Sequence, residues 1–194
     1  MTSSNRAEFI SRTAKGGLAL VAGGSVLAEV SSLAVASGVT DVDIAKLAAT
    51  AELLAINFYS HAINSGKFHD KDERRYLHEA RAAEIAHYDA LRGVLGSATP
   101  AGLSFKYPHG AFGSRIKIAK LGVALETAFV GAYLGAVPAL SSNTLKGVAA
   151  TIAASESQHL SVFTDIVSGN PIGPAFPKSL TAAQATSAVS GFIA

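Results

Sequence analysis

Four long stretches with helical periodicity, joined by connections of very unequal length, limit the fold of this chain more than any other feature. The stretches cover residues 41–64, 70–95, 114–137 and 142–168. About five residues join the first stretch to the second, and about as many join the third to the fourth, so each pair is expected to form an antiparallel hairpin. The middle connection has about 17 residues, enough to run the length of a 25-residue helix, roughly 37 Å. We therefore predict an all-α bundle of four helices, built from two hairpins and one long crossover.

Capping residues and helix breakers support these boundaries. Thr40 and Asp70 are placed to cap the first and second helices, and Pro138 is expected to end the third. Gly169 is placed to cap the C-terminus of the fourth helix. A tail rich in Pro and Gly follows, and Thr181 begins a short final helix with a capping box. No segment alternates apolar and polar residues long enough to predict a β-strand.

The composition excludes several classes of protein and of site. Hydrophobic residues make up 49% of the chain and charged residues 15%, which excludes a disordered protein. The 16 Lys and Arg residues against 14 Asp and Glu leave a net charge of +2, too small for a protein that binds nucleic acid by neutralising phosphates. The chain has no cysteine, so disulfide scaffolds, thiolate zinc sites, iron–sulfur clusters and cysteine nucleophiles are excluded.

Because charge is scarce, the acids inside the apolar stretches are informative. Glu52 is the only acid between residues 44 and 68. Glu126 and Glu156 are the only acids between residues 112 and 164. A carboxylate inside an apolar helix is costly unless it is paired, so each of these residues marks a candidate site.

The second and fourth helices each carry a Glu-x-x-His pair, and its i,i+3 spacing places both side chains on one helix face. One Glu from each of two helices, with Glu-x-x-His from each of the other two, is the ligand set of di-iron and di-manganese carboxylate bundles. The predicted metal ligands are Glu52, Glu84, His87, Glu126, Glu156 and His159.

The four glutamates are expected to meet at one level of the bundle. In the first hairpin, Glu52 and Glu84 each lie 16 residues from the turn near Phe68. In the second hairpin, the two glutamates lie 13 and 17 residues from Ala139. Such offsets bring paired side chains of an antiparallel hairpin to nearly the same height, so all four carboxylates are expected at mid-bundle.

A tyrosine follows the first glutamate of each hairpin by seven residues. Tyr59 follows Glu52 and Tyr133 follows Glu126, two helical turns on, so each tyrosine lies on the same helix face as its glutamate. The two hairpins therefore resemble copies of one half-site. Tyr59 and Tyr133 are candidate catalytic residues that donate hydrogen bonds or electrons beside the ligands, and the alternative is that they only pack in the core.

Buried negative charge indicates a pair of metal ions. Four buried carboxylates would lose hydration worth several kcal/mol each, and two divalent cations would cancel their charge. Carboxylate and imidazole ligands without thiolate favour iron or manganese and permit zinc. Two metals roughly 3.5–4 Å apart can bind O₂ or a peroxide between them. Glu84 and Glu156 are expected to bridge the metals, and the others to complete one metal each, Glu52 with His87 and Glu126 with His159.

A network of ion pairs without metal is the alternative for these acids and histidines. The apolar stretches offer few bases for it, because only Lys46 lies near Glu52 and no base lies within a helical turn of Glu156. The remaining histidines are predicted to lie at the surface: His61, His69, His78 and His109.

The N-terminal segment resembles an export signal. It has a basic start at residues 6–15, a weakly hydrophobic run at 16–28 and an Ala-x-Ala cleavage site at 34–36. Residues 4–10 resemble a twin-arginine signal in which Asn5 replaces the first arginine. The expected location is therefore the periplasm or cell envelope. The alternative is a cytoplasmic or membrane-associated protein that retains residues 16–36 as a membrane or oligomer contact.

Over residues 41–168, the six-ligand motif resembles that of the ferritin-like superfamily. In particular, the chain resembles the bacterial ferritin-like domain proteins that include desiccation-related proteins, because its tail has matching segments at 174–176, 179–181 and 191–193. The expected organisation is the signal-like segment 1–36, a ferritin-like four-helix bundle at 37–170, and a tail with a short helix at 171–194.

The resemblance implies a di-metal centre with oxidase, peroxidase, catalase-like or metal-handling activity in stress protection. It equally admits a non-catalytic protein that holds metal or assembles with partners, including copies of itself. The absence of a rubredoxin-like cysteine module excludes a rubrerythrin.

Overall fold

Each long helix begins after a short polar side chain. The computed structural model describes residues 38–194, and its long helices are α1 (Asp41–Asn64), α2 (Lys71–Leu95), α3 (Arg115–Ala139) and α4 (Asn143–Ser168). A 3₁₀ turn (Gly96–Ala98) extends α2, and a short helix, α5 (Ala182–Ser190), lies near the C-terminus. The predicted export signal or retained apolar segment at 1–36 lies outside the described residues.

Capping contacts determine where the first two helices begin. At the start of α1, the Thr40 hydroxyl accepts the backbone N–H of Asp43 at 3.2 Å, and the Asp43 carboxylate accepts the backbone N–H of Thr40 at 3.0 Å. Asp70 caps α2 by accepting the N–H groups of Asp72 and Glu73. These contacts satisfy N–H groups that a helix start leaves without partners inside the helix.

The remaining helix boundaries agree with prediction except at Pro138. Gly169 caps α4 in the left-handed conformation, with φ of 69°, and Thr181 starts α5 with the predicted capping box. The sequence predicts that Pro138 ends α3, but α3 continues one residue beyond it. A proline in the last turn removes a single backbone hydrogen bond, and the N–H of Leu140 still donates to the carbonyl of Ala136, so the turn is kept.

The helices form two hairpins, α1 with α2 and α3 with α4. The crossover, residues 99–114, carries the chain from the end of the first hairpin to the start of the second. The hairpins pack against each other through α1 with α3 and through α2 with α4. The predicted all-α bundle of four helices is therefore confirmed.

The C-terminal tail covers one side of the bundle. Helix α5 packs on α3 and α1, and Phe105 of the crossover pairs with Ile193 in an isolated antiparallel bridge. The N–H of Leu180 donates to the carbonyl of Gly131 at 2.8 Å. A Cβ on Gly131 would lie 2.8 Å from Cγ of Leu180, and one on Gly135 would overlap the Leu180 carbonyl oxygen. The two glycines therefore form a notch, the glycine notch, in which the tail lies.

Judged by length and composition alone, one helix among residues 38–194 could cross a membrane, and it is α3. In this fold it packs against α4 and α5, and the Phe163 ring of α4 lies against Gly122. At its middle, Glu126 is fully buried. Its place at the centre of the bundle therefore accounts for its apolar composition.

Candidate metal centre

The six side chains predicted as metal ligands lie together in the middle of the bundle. Glu52 has an exposed fraction of 2%, and the other three carboxylates are fully buried. His159 is also buried, whereas the side chain of His87 is 14% exposed. Each long helix contributes at least one of the six: Glu52 from α1, Glu84 and His87 from α2, Glu126 from α3, Glu156 and His159 from α4.

These side chains form two overlapping groups of four residues. Within each group, one ligand atom from every residue lies within 4.8 Å of the others. The first group consists of Glu52, Glu84, His87 and Glu156. The second group consists of Glu84, Glu126, Glu156 and His159. Glu84 and Glu156 belong to both groups. A ligand that bridges two ions would have to belong to both groups.

Each histidine contacts a glutamate of its own helix and one of the facing hairpin. His87 Nδ1 lies 3.2 Å from Glu84 Oε2 and 3.1 Å from Glu156 Oε1. His159 Nδ1 lies 3.2 Å from Glu156 Oε2 and 2.8 Å from Glu84 Oε1. The contacts of the two Glu-x-x-His pairs are therefore reciprocal, as expected if the hairpins are two copies of one half-site.

Three buried carboxylate oxygens have no hydrogen-bond partner in the described part of the chain: Glu84 Oε1, Glu126 Oε2 and Glu156 Oε1. Two of them lie near a histidine nitrogen, but without the alignment that a hydrogen bond needs. A buried oxygen without a donor is costly, so its presence requires an explanation. Oxygens that converge beside imidazole nitrogens suit a divalent metal ion, and the donor set fits the predicted ions.

Basic side chains do not neutralise this cluster. Among the described residues, no Lys or Arg forms an ion pair with the four carboxylates, and their only charged partners are His87 and His159. An ion-pair network without metal would therefore depend on two histidines for four carboxylates.

Without metal, protons supply the positive charge of the cluster. Burial raises the pKa of Glu52 and that of Glu126 well above the ordinary carboxyl value, and neighbouring carboxylates add to the shift. At Glu84 burial acts in the same direction, but contacts with His159 and His87 outweigh it and lower the pKa to about 2. Burial opposes the charged form of both histidines, yet their contacts with carboxylates raise the pKa of His87 to about 12 and that of His159 to about 9.

Two buried tyrosines connect the hairpins at the cluster. The Tyr59 hydroxyl donates to Glu126 Oε1 at 2.6 Å, and the Tyr133 hydroxyl donates to Glu52 Oε1. Each tyrosine therefore binds the glutamate of the other hairpin rather than the one seven residues before it. Burial and the adjacent carboxylates raise the pKa of both hydroxyls, so both remain hydrogen-bond donors.

Tyr76 is a further candidate that sequence reasoning does not identify. Its hydroxyl lies 3.1 Å from that of Tyr59 and donates to the backbone carbonyl of His159 at 3.2 Å. Tyr76 precedes Glu84 by eight residues, which is more than two turns of α2 and does not place both side chains squarely on one face. The sequence therefore carries no clear signal for it.

The other histidines lie away from the cluster. His61, His69, His78 and His109 are exposed, as predicted. The ring of His61 packs against Tyr107 of the crossover, with ring centres 5.6 Å apart.

A family model described as a ferritin-like domain matches residues 40–169, which include all four long helices. Among curated proteins, none matches the chain. The matched region is 130 of 194 residues and contains the whole Glu and His cluster. The sequence-based assignment to the ferritin-like superfamily is confirmed, and the closer resemblance to desiccation-related proteins stays a prediction. By its sequence, its fold and the position of its buried carboxylates, this chain belongs to the ferritin-like domain family.

Proposed function

We propose that the chain holds two divalent metal ions, iron or manganese, and uses them to reduce O₂ or peroxide or to oxidise iron, in protection against stress. The observation that carries this proposal is the pair of four-residue groups that share Glu84 and Glu156 in a buried setting. Four ionised carboxylates and two divalent cations have no net charge, so metal would remove the main electrostatic cost of the cluster.

The shared and unshared residues suggest how the ions would be held. Glu84 and Glu156 would bridge them, and each ion would take one further carboxylate and one imidazole, Glu52 with His87 and Glu126 with His159. Oxygen and nitrogen ligands without thiolate suit iron and manganese, and zinc accepts the same donors. When bound, iron or manganese would supply the electrons that reduce O₂ or peroxide.

The tyrosines would position the outer carboxylates. Tyr59 binds Oε1 of Glu126, and Oε2 of the same carboxylate is the oxygen without a partner, so the hydrogen bond leaves that atom free for an ion. Tyr133 holds Oε1 of Glu52 in the same way, and Glu52 Oε2 lies 3.5 Å from His87 Nδ1. The Tyr76 hydroxyl lies 3.1 Å from that of Tyr59 and would help to position it beside Glu126.

Access to the cluster would be from the side of His87. Its side chain is 14% exposed, whereas the neighbouring carboxylates of Glu84 and Glu156 are fully buried. Ions, O₂ or peroxide would therefore reach the site past this imidazole.

Anaerobic titration of the metal-free full chain with Fe(II) tests this proposal. Binding should saturate at two ions per chain, and air should then produce the near-ultraviolet absorbance of oxidised, paired iron. Glu84→Gln and Glu156→Gln should each abolish binding of two ions, because each removes a shared carboxylate. Glu79→Gln changes an exposed glutamate of α2 and should bind two ions normally. If both substitutions at the shared glutamates leave two ions bound, the ligand set is wrong.

Holding metal without turnover, as a non-catalytic or structural protein, is a second candidate function. The deep burial of all four carboxylates favours it, because little of the cluster is open to a substrate. Metal that binds at two ions per chain but stays unreactive in air would support this candidate. Elemental analysis of protein purified from its native host would identify the ions.

The proposed location and the kinship with desiccation-related proteins depend on the sequence alone. The signal-like residues 1–36 support export to the periplasm or cell envelope, and the tail segments support the narrower kinship. Fractionation of native cells, with mass spectrometry of the N-terminus, would test export and cleavage after residue 36.

A further inference from the structure

A cavity of about 610 Å³ lies between α1, α3 and the C-terminal tail. Its walls include Leu47 and Ala51 of α1, Ala132 and Tyr133 of α3, and Leu180 of the tail. Small-molecule sites in proteins commonly measure about 300–1,000 Å³, so this volume suits a ligand rather than a few waters.

The walls of the cavity determine the chemistry of what it can hold. None of the described residues that line it carries a charge, and the polar side chains among them are the hydroxyls of Tyr133, Ser179 and Thr181. An ionic ligand would lose its hydration there without gaining a charged partner from these residues, so this part of the wall disfavours charged groups. An aliphatic chain would bury apolar surface against these walls instead.

The cavity lies directly beside the candidate metal centre. Tyr133 lines it, and the hydroxyl of the same residue donates to Glu52. Ala51, the residue before Glu52, also lines it. A molecule in the cavity would therefore be separated from the carboxylate cluster by one tyrosine side chain.

The tail forms the outer wall, and the glycine notch holds it in place. Leu180 is hydrogen bonded to Gly131, whereas Phe176, a few residues earlier, is 93% exposed at the rim of the cavity. An exposed phenylalanine beside an apolar opening gives a long ligand further apolar surface outside the cavity.

We propose that this cavity binds an uncharged molecule with a long aliphatic chain, which lies against α3 and reaches Tyr133. Three features together carry the proposal: walls that carry no charge among residues 38–194, the volume, and the continuity with the carboxylate cluster through Tyr133. The further step, that this molecule is a substrate of the metal centre, rests on the proposed function. The binding itself needs no metal.

Calorimetric titration of the metal-free full chain with 1-dodecanol tests the binding. One molecule should bind per chain, and affinity should rise about fourfold for each methylene between 1-octanol and 1-dodecanol. Ala132→Phe places a ring in the cavity and should weaken binding at least tenfold. Ala124→Phe, at an exposed position of the same helix, should leave binding unchanged.

Three results would overturn the proposal. The first is no saturable binding to the full chain, as expected if the N-terminal segment or a second copy fills the cavity. Sedimentation would distinguish these two occupants, because only a second copy doubles the mass of the particle. The second is equal binding to the Ala132→Phe and Ala124→Phe variants. The third is an affinity that does not depend on chain length. Glu84→Gln should bind 1-dodecanol normally, so failure of the metal proposal would not resemble failure of this one.

Discussion

Each buried tyrosine of the cluster connects one hairpin to the other. Tyr59 of α1 binds Glu126 of α3, and Tyr133 of α3 binds Glu52 of α1. These two hydrogen bonds therefore fix the relative positions of the hairpins at the level of the candidate metal centre, and they hold the outer carboxylates without metal.

Tyr133→Phe is expected to destabilise the metal-free chain. The substitution removes the donor to Glu52 and leaves a buried carboxyl oxygen without that partner, which costs about 1–3 kcal/mol. Urea unfolding of the metal-free protein would measure the loss. Tyr107→Phe is the control. Its hydroxyl donates to Asn57 at 2.9 Å and, more distantly, to the Leu54 carbonyl at 3.4 Å. Asn57 is a half-buried side chain that can turn to water, so the cost should be about 0.5–1.5 kcal/mol. A Tyr133→Phe variant as stable as the natural chain would contradict the assigned role of Tyr133.

For individual residues, the sequence predicts which side chains lie together but not which atoms form hydrogen bonds. Glu52 and Glu126 are identifiable because acids are scarce in apolar helices, and burial of those side chains is what the structure shows. The exchange of tyrosine partners between hairpins depends on how α1 packs on α3, which no local spacing encodes. Tyr76 escapes detection for the same reason, since its contact with Tyr59 joins two helices. That the six side chains bind metal stays a prediction.

At the scale of secondary-structure elements, a backbone contact in the glycine notch attaches the tail to α3. Leu180 lies in the glycine notch, where its N–H binds Gly131 and its carbonyl lies against Gly135. The recurrence of these glycines along α3 indicates a close contact, but it does not say with which element. The structure shows that the partner is the tail and not another long helix.

Gly135→Ala is expected to displace the tail. A Cβ at this position would overlap the Leu180 carbonyl oxygen, and the backbone must move to relieve it, at a cost of about 1–3 kcal/mol. Gly147→Ala is the matched control within a helix: a Cβ there meets nothing, so helix propensity should stabilise the chain by about 0.5–1 kcal/mol. Urea unfolding gives both values, and amide exchange of α5 should accelerate in the Gly135→Ala variant alone. A stabilised Gly135→Ala variant would show that the tail does not lie in the notch.

Asp41 joins the start of α1 to the turn between α3 and α4, and this contact should be sensitive to acid. Its carboxylate accepts the N–H groups of Ser141 at 2.7 Å and Ser142 at 2.9 Å, which hold the pKa of Asp41 below its usual value of 3.8. Because the folded-state pKa is depressed, the contribution to stability is present above pH 3.8 and is lost as pH falls through the folded-state pKa.

Asp41→Ala should therefore lower the urea midpoint at neutral pH, and its difference from the natural chain should shrink in acid. Asp89→Ala removes an exposed ion pair with Arg92 and should have little effect at either pH. A difference for Asp41→Ala that stays constant with pH would mean that the carboxylate charge does not matter there.

Across the whole molecule, the carboxylate cluster couples folding to the charge that neutralises it. All four long helices contribute to the cluster, so its neutralisation affects both hairpins at once. Protons can supply the neutralising charge, since the pKa values of four groups are raised in the fold without metal: Glu52, Glu126, His87 and His159. Divalent metal ions can neutralise the carboxylates instead, and they must displace those protons to bind.

The metal-free chain is expected to lose stability as pH rises. Groups with raised folded-state pKa values stabilise the fold fully below their unfolded values, 4.5 for the carboxyls and 6.5 for histidine. The contribution of His159 should disappear as pH passes through about 9, while those of Glu52 and Glu126 decline from pH 4.5 upward. Urea midpoints of the metal-free protein should therefore fall steadily from mildly acidic to alkaline pH.

Two equivalents of Mn(II), added without air, should reverse this trend. Metal binds the deprotonated ligands, so its affinity and the stabilisation it brings should grow with pH while the metal-free fold weakens. The Glu84→Gln variant should show no such gain, because it lacks a carboxylate shared by both groups. Manganese that stabilises the natural chain and this variant equally would place the ions elsewhere. A metal-free fold whose stability rises with pH would mean that the buried carboxylates are not neutralised by protons at all.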